Sequence, residues 1–250
     1  MDTICVEAVT GRTQGSWYDE YRRLRHRVFV VEQGWTGLSA GVDEATIPDP
    51  ADARARFWLA RSRSGALVGA VRIRTVRDTF HHEDLFRHHL RRREMAAMRP
   101  WMGTLNSLVV DREWRSRLCA TPSRDEGTVA SMLLRTSLSD SAGTDFRALV
   151  ATAQTLISAR ALMRVGFRVI DPPIRTHLHA RFAMCNVGVV LTTDDLCARA
   201  LSTYFEECQR RVLKESSLAD WFSAPLAIPR RACHVTPSRV ACGFAGGGPL

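Results

Sequence analysis

The run Arg124-Asp-Glu-Gly127-Thr128-Val129-Ala130 leads straight into a segment with Val129, Met132, Leu133 and Thr136 at helical spacing. A helix start offers unpaired N–H groups and about half a positive charge, a ready site for an anion such as a phosphate. Gly127 allows close backbone approach and Arg124 adds a charge-assisted contact. The bland alternative is a capped helix and nothing more. Two further arginines stand inside core patterns, Arg25 on a helical stretch and Arg72 on an alternating one. A buried guanidinium calls for a carboxylate or phosphate partner. His81, His82, His88 and His89 invite a metal, but no cysteine or fixed carboxylate completes a recognised ligand set, so no metal is expected. Cys185 could act as a nucleophile, although a lone buried cysteine is usually inert.

These groups need elements to hold them. Residues 4–9 alternate as a strand. Trp17, Tyr21, Leu24, Val28 and Val31 follow a helical period. Residues 57–61 and 67–76 alternate around a Ser64-Gly65 turn and read as a hairpin. Residues 80–100 read as a short helical excursion ending at Pro100, and residues 104–110 as a buried strand stopped by Asp111. Helices are expected over 126–141, over 155–165 with Gly166 just past the end, and over 194–214. Strands are expected over 146–151, 168–171 and 188–192. The fold class is mixed α/β around one sheet. A single domain over residues 1–215 and a loosely held Pro/Gly-rich extension over 216–250 are expected.

Composition narrows the setting. The chain has 250 residues, 45% hydrophobic and 24% charged, which fits an ordinary globular core. No apolar run approaches the ~18–20 residues of a membrane span. No secretory signal is visible at the N-terminus, and the seven scattered cysteines form no C-x-x-C pair, so a cytoplasmic location is expected. The net charge of +9 is almost all arginine, with Lys214 the sole lysine. It favours polyanionic partners: nucleotide phosphates, an acidic carrier protein or RNA.

The element order and three local blocks resemble the GNAT superfamily of N-acyltransferases. Asp111-Arg-Glu-Trp-Arg115, following the Leu108-Val109-Val110 strand, looks like its "V-x-P-x-x-R" block. Residues 124–130 look like its acyl-carrier loop, R-x-x-G-x-G/A, with Val129 in place of a small residue and residues 115–123 as an insertion. Ser158-Ala-Arg-Ala-Leu162-Met-Arg-Val-Gly166-Phe167 looks like its "A-x-x-L-Y-x-x-x-G-F" block. A narrower likeness is to the acyl-homoserine-lactone synthases and N-acyl amino acid synthases. It rests on Leu24-Arg25-His-Arg-Val-Phe29-Val-Val-Glu32-Gln-Gly34-Trp35, on Asp43, on Gly69-Ala-Val-Arg72 and on Asp84-Leu85-Phe86.

The resemblance implies a GNAT fold, a central mixed twisted sheet flanked by helices. It implies a donor bound as acyl-CoA or as an acyl-phosphopantetheine on a carrier protein. Leu108, Val109 and Val110 would supply a backbone N–H to the thioester carbonyl, while Arg124, Gly127, Thr128, Val129 and Ala130 hold the donor. Arg25, Phe29, Trp35 and Arg72 would line the acyl and acceptor pocket. The lactone synthases carry "W-E-x-S-R-F" where this chain has Gly103-Thr104-Leu105-Asn106-Ser107-Leu108, so Thr104 and Ser107 replace their Glu and Arg. A homoserine lactone product is therefore not expected. Leu162 replaces the usual tyrosine acid. Proton transfer falls to Glu32, Asp43, Thr104, Asn106 or Ser107, with His177 and His179 as later options. The expected reaction is N-acylation of a small amine or amino acid. An aminoacyl-tRNA donor or a non-catalytic thioester-binding module is the alternative.

Overall fold

The computed structural model describes residues 2–33, 50–75, 91, 93–122, 126–141, 146–153, 162–163, 165–174, 185–191, 204, 206–208 and 210. Its centre is a mixed sheet. Strands β1 (Asp2–Thr10), β2 (Arg56–Ser62), β3 (Leu67–Thr75) and β4 (Met102–Val110) form an antiparallel run. β5 (Leu118–Ala120) lies parallel to the first residues of β1 and carries β6 (Glu126–Thr128) at that edge. On the other side β7 (Ala148–Ala153) runs parallel to β4, and β8 (Arg168–Ile174) and β9 (Cys185–Leu191) complete the order β6-β5-β1-β2-β3-β4-β7-β9-β8.

Helix α1 (Ser16–His26) covers one face of the sheet. Asp19 in its first turn and Arg23, Arg25 and His26 in its last complement the helix dipole. Tyr18, Tyr21, Leu24, Val28 and Phe29 pack on Phe57, Leu59, Ala70 and Val109. The helix continues as a π-helix over Arg27–Glu32, with Gln33 N–H donating to Val28 O at 3.2 Å. Trp17 packs partly buried against the same cluster, as the pattern predicts, whereas Val31 is exposed. The wider i+5 turn over residues 27–32 shifts the phase of a 3.6-residue pattern carried through it and accounts for Val31.

A short helix, α2 (Arg93–Met98), and a 3₁₀ turn at Arg99–Trp101 lead into β4. Helix α3 (Val129–Ser141) covers the opposite face, burying Val129, Met132, Leu133 and Leu134 against Val68, Val71, Ile73, Val110 and Leu149. The expected helix over 126–141 thus begins three residues late, because residues 126–128 pair with β5 instead. Contact with β3 is close at Gly69, where a Cβ would lie 2.7 Å from Val129 Cγ1 and 3.0 Å from Leu133 Cδ1.

Of the helix expected over 155–165, residues 162–163 are helical and residues 154–161 lie outside the described residues. Its end follows the expectation. Gly166 has φ 101°, its N–H donates to Met163 O at 3.1 Å, and Phe167 N–H donates to Leu162 O at 3.1 Å. That pair of bonds is a Schellman cap. Within 194–214 the described residues 204, 206–208 and 210 are helical. The proposed extension over 216–250 lies outside the described residues.

Candidate active site

Strand β4 departs from regularity at the centre of the sheet. Its ladder with β7 runs from Met102↔Ala148 to Leu105↔Ala151 and stops there, while β7 continues to pair with β9 through Ala153. Among the described residues, 106–110 therefore keep β3 on one side and no ladder on the other. The same half carries a bulge: Asn106 pairs with Arg72 and Val109 with Ala70, so Ser107 and Leu108 together face Val71. Ser107 takes φ 51°, the left-handed region that disfavours a side chain. The extra residue resets the alternation. Leu105, Leu108 and Val110 point to the α3 side, Val109 to the α1 side. An open cleft between two parallel strands with unladdered backbone beside it is a natural place for a carbonyl to dock.

The α1 side of this cleft holds a buried polar chain. Tyr18 Oη donates to Asp52 Oδ2 at 2.8 Å, Arg72 pairs with Asp52 Oδ1, and Arg72 Nε donates to Asn106 Oδ1 at 2.6 Å. The Arg72 and Asp52 side chains are only 2% and 1% exposed. Asp52 sits on a 3₁₀ turn, Pro50–Arg54, that presses against Gly11 so closely that a Cβ there would lie 1.6 Å from Asp52 O. Arg74 and Thr104, directly opposite each other on β3 and β4, are buried on the same face. Because Arg72 fixes the Asn106 carbonyl, the amide nitrogen is left as a donor. Among the described residues Asn106 Nδ2, Tyr21 Oη and Arg25 Nε are buried without a hydrogen-bond partner. Buried donors left unpaired cost about 1–3 kcal/mol each, and such a set suits an oxygen-rich ligand.

The α3 side supplies the second half. Thr128 caps α3, its Oγ1 accepting from Ser131 N–H at 3.3 Å, and Ser131 Oγ donates back to Thr128 O at 2.8 Å. Arg135 donates to Glu126 O at 2.8 Å. A Cβ on Gly127 would lie 2.5 Å from Ser131 Oγ and 2.9 Å from Arg135 Nη2, so the close packing of these side chains on the backbone requires glycine. Val129 is fully buried beneath it.

The structure gathers Thr104, Asn106, Ser107, Leu108, Val109 and Val110 on β4, with Arg72 across from Asn106. Arg25 and Phe29 come in on α1 and its π-helical continuation, and Gly127, Thr128, Val129 and Ala130 lie at the start of α3. Glu32 is not presented to the cleft as a free carboxylate; it pairs with Arg115. Leu162, in the tyrosine position, is buried in the α3-side core. Trp35, Asp43, the 84–86 segment, Arg124, the histidines at 81, 82, 88, 89, 177 and 179, and the Cys185 side chain lie outside the described residues. Among the described residues no three His, Cys, Asp or Glu groups converge to hold a metal. Sequence reasoning missed Asp52 and Tyr18. Asp52 had a signal, the carboxylate that a buried Arg72 demands, but not its address.

No family model and no curated protein matches the sequence. Solved structures do. LasI, an acyl-homoserine-lactone synthase, aligns with a TM-score of 0.56 at 18% identity over 76% of this chain and 90% of its own. BjaI, described as a CoA-dependent acyl-homoserine lactone synthase, aligns at 0.55 and 17% over 81% and 88%. FeeM, an N-acyl amino acid synthase from uncultured soil microbes, aligns at 0.52 and 14% over 77% and 92%. The chain thus has a GNAT-like α/β fold, and among GNAT-like structures it resembles the branch of these synthases.

Proposed function

We propose that this protein is a cytosolic N-acyltransferase. It moves an acyl group from a phosphopantetheine thioester, acyl-CoA or an acyl-carrier protein, to the amine of a small metabolite or amino acid. The observation that carries the reading is the unladdered, bulged half of β4 lying between two differently built faces. A donor enters from the α3 side, where Gly127, Thr128, Val129 and Ala130, with Arg124, hold the pantetheine phosphates. An acceptor enters from the α1 side, where Arg25, Phe29, Trp35 and Arg72 form the pocket. The catalytic domain spans residues 1–215.

The amine attacks the thioester carbon directly. A C–N bond forms, the C–S bond breaks, and the thiolate takes up a proton as it leaves. One backbone N–H among Leu108, Val109 and Val110 receives the developing oxyanion, and a preorganised donor of that kind is worth about 10²–10³ in rate. Thr104, Asn106 and Ser107 line the route of the amine proton, with Asp43 as the carboxylate that accepts it. By name the synthases above make acyl-homoserine lactones or N-acyl amino acids, and that likeness supports the reaction class. Titration with acyl-CoA tests the donor site: Arg124→Ala and Gly127→Asp proteins are expected to lose thioester binding, and unchanged affinity in both would refute the placement.

A further inference from the structure

The free half of β4 must be kept open by something other than a strand. The peptide joining Val110 to Asp111 is pinned at both of its ends. Its N–H, from Asp111, donates to Val68 O at 2.9 Å, and its C=O, from Val110, accepts from Arg115 Nε at 3.0 Å. Arg115 follows the 3₁₀ turn Arg112–Trp114, which Asp111 caps by accepting from Glu113 N–H at 3.1 Å. The same guanidinium pairs through Nη2 with Glu32, and Arg27 pairs with Asp111. Glu32 and Arg27 are the two ends of the π-helical segment that extends α1. Two ion pairs thus tie that segment to the exit of β4, and one of them holds the strand's last carbonyl.

The geometry points to Arg115 as a positioning residue, held by Glu32, that sets the plane of the β4 exit and with it the N–H groups offered to the thioester carbonyl. This rests on the acyl-transfer reading of the same cleft. In extended backbone the N–H and C=O of one residue leave the strand by the same edge, so pinning the Val110 carbonyl restrains the edge from which the Val110 N–H points. Arginine is required because its Nε and Nη2 reach two different acceptors at once, a fork that lysine lacks. The guanidinium sides of the two pairs are 41% and 52% exposed, so solvent screens the pairs and their contribution to stability is small. Their contribution lies in aim. Glu32 on this account is a support for Arg115 and not the proton acceptor.

The test is the infrared carbonyl band of [1-¹³C]decanoyl-CoA bound to the full-length protein, read with its dissociation constant and the thermal midpoint. The wild type is expected to lower the carbonyl frequency relative to free decanoyl-CoA. Arg115→Lys, and the swap Glu32→Arg with Arg115→Glu, which keeps an ion pair but removes the donor to Val110 O, are expected to lose most of that shift. Affinity should change by no more than about threefold, since most of it comes from the nucleotide end. The full shift surviving in Arg115→Lys would overturn the positioning role and leave the acyl-transfer reading intact. Absence of any bound thioester in the wild type would instead remove the reading on which the role depends. A swap protein that failed to fold would contradict the small structural contribution assigned to the pair, with Arg115→Lys still deciding the aim.

Discussion

At the scale of single residues, the account turns on four side chains in contact: Tyr18, Asp52, Arg72 and Asn106. Removing one partner of a buried ion pair leaves the other charge stranded, at a cost of about 3–5 kcal/mol. Asp52→Ala is therefore expected to lower unfolding free energy by that amount in urea, whereas Tyr18→Phe, which deletes one hydrogen bond and leaves the ring, should cost about 1 kcal/mol. The cysteines give an independent check on burial. Burial pushes the Cys119 thiol up from its ordinary value, with the Asp2 carboxylate adding to the effect. Cys5 is exposed. Iodoacetamide with peptide mapping should label Cys5 in the native protein and reach Cys119 only on unfolding. The raised Cys119 value also means that its stabilising share is whole below the unfolded thiol pKa and fades as pH rises past it toward the folded value. That alkaline loss should be absent in Cys119→Ala. Of this cluster, the need of Arg72 for an anion was legible from its place in an alternating strand. Its partner was not, because Asp52 is delivered by a turn whose position depends on the close approach of Gly11.

At the scale of elements, the informative features are irregular ones. Ser107 is held in the left-handed region by the bulge, and Ser107→Gly should relieve about 1 kcal/mol of backbone strain, visible as a higher urea midpoint at unchanged slope. A clean loss of turnover in that stable variant would mark the hydroxyl itself as part of the chemistry. The contact of α3 with β3 makes the opposite kind of prediction. Gly69→Ala drives a methyl into Val129 and should cost about 1–3 kcal/mol, and adding Val129→Ala should restore part of it. The hairpin of β2 and β3 was legible because period-2 patterns flank a Gly65 turn. So was the glycine stop after residue 165. The bulge in β4 was not, since a single serine gives no periodic signal. Three residues carry no period, so β5 was hidden inside residues 115–123, which read as an insertion, and β6 inside the start of the helix expected over 126–141. The π-helix displaced one predicted face residue, Val31, by altering the phase.

At the scale of the whole molecule, the proposed reaction divides two tasks between the faces of the sheet. One face, under α3, offers a capped helix start with a glycine approach; the other, under α1, offers buried donors and a locked guanidinium. The cleft between β4 and β7 is the place where they meet. The formal charge of +9 should make donor affinity fall with ionic strength, but gently, as for a few phosphates. A slope of log K against log salt as steep as that of a protein gripping many phosphates would favour a tRNA-borne donor. Among the described residues no helix is long and apolar enough to cross a membrane.

The central claim is that a thioester and an amine are joined in that cleft, and mass spectrometry of the reaction mixture tests it most directly. Purified protein incubated with decanoyl-CoA and an equimolar panel of amino acids and small amines is predicted to give free CoA and, in equal amount, an N-decanoyl amide, both abolished by Gly127→Asp. CoA release that does not depend on the amine, or no amide above the Gly127→Asp control, would contradict it.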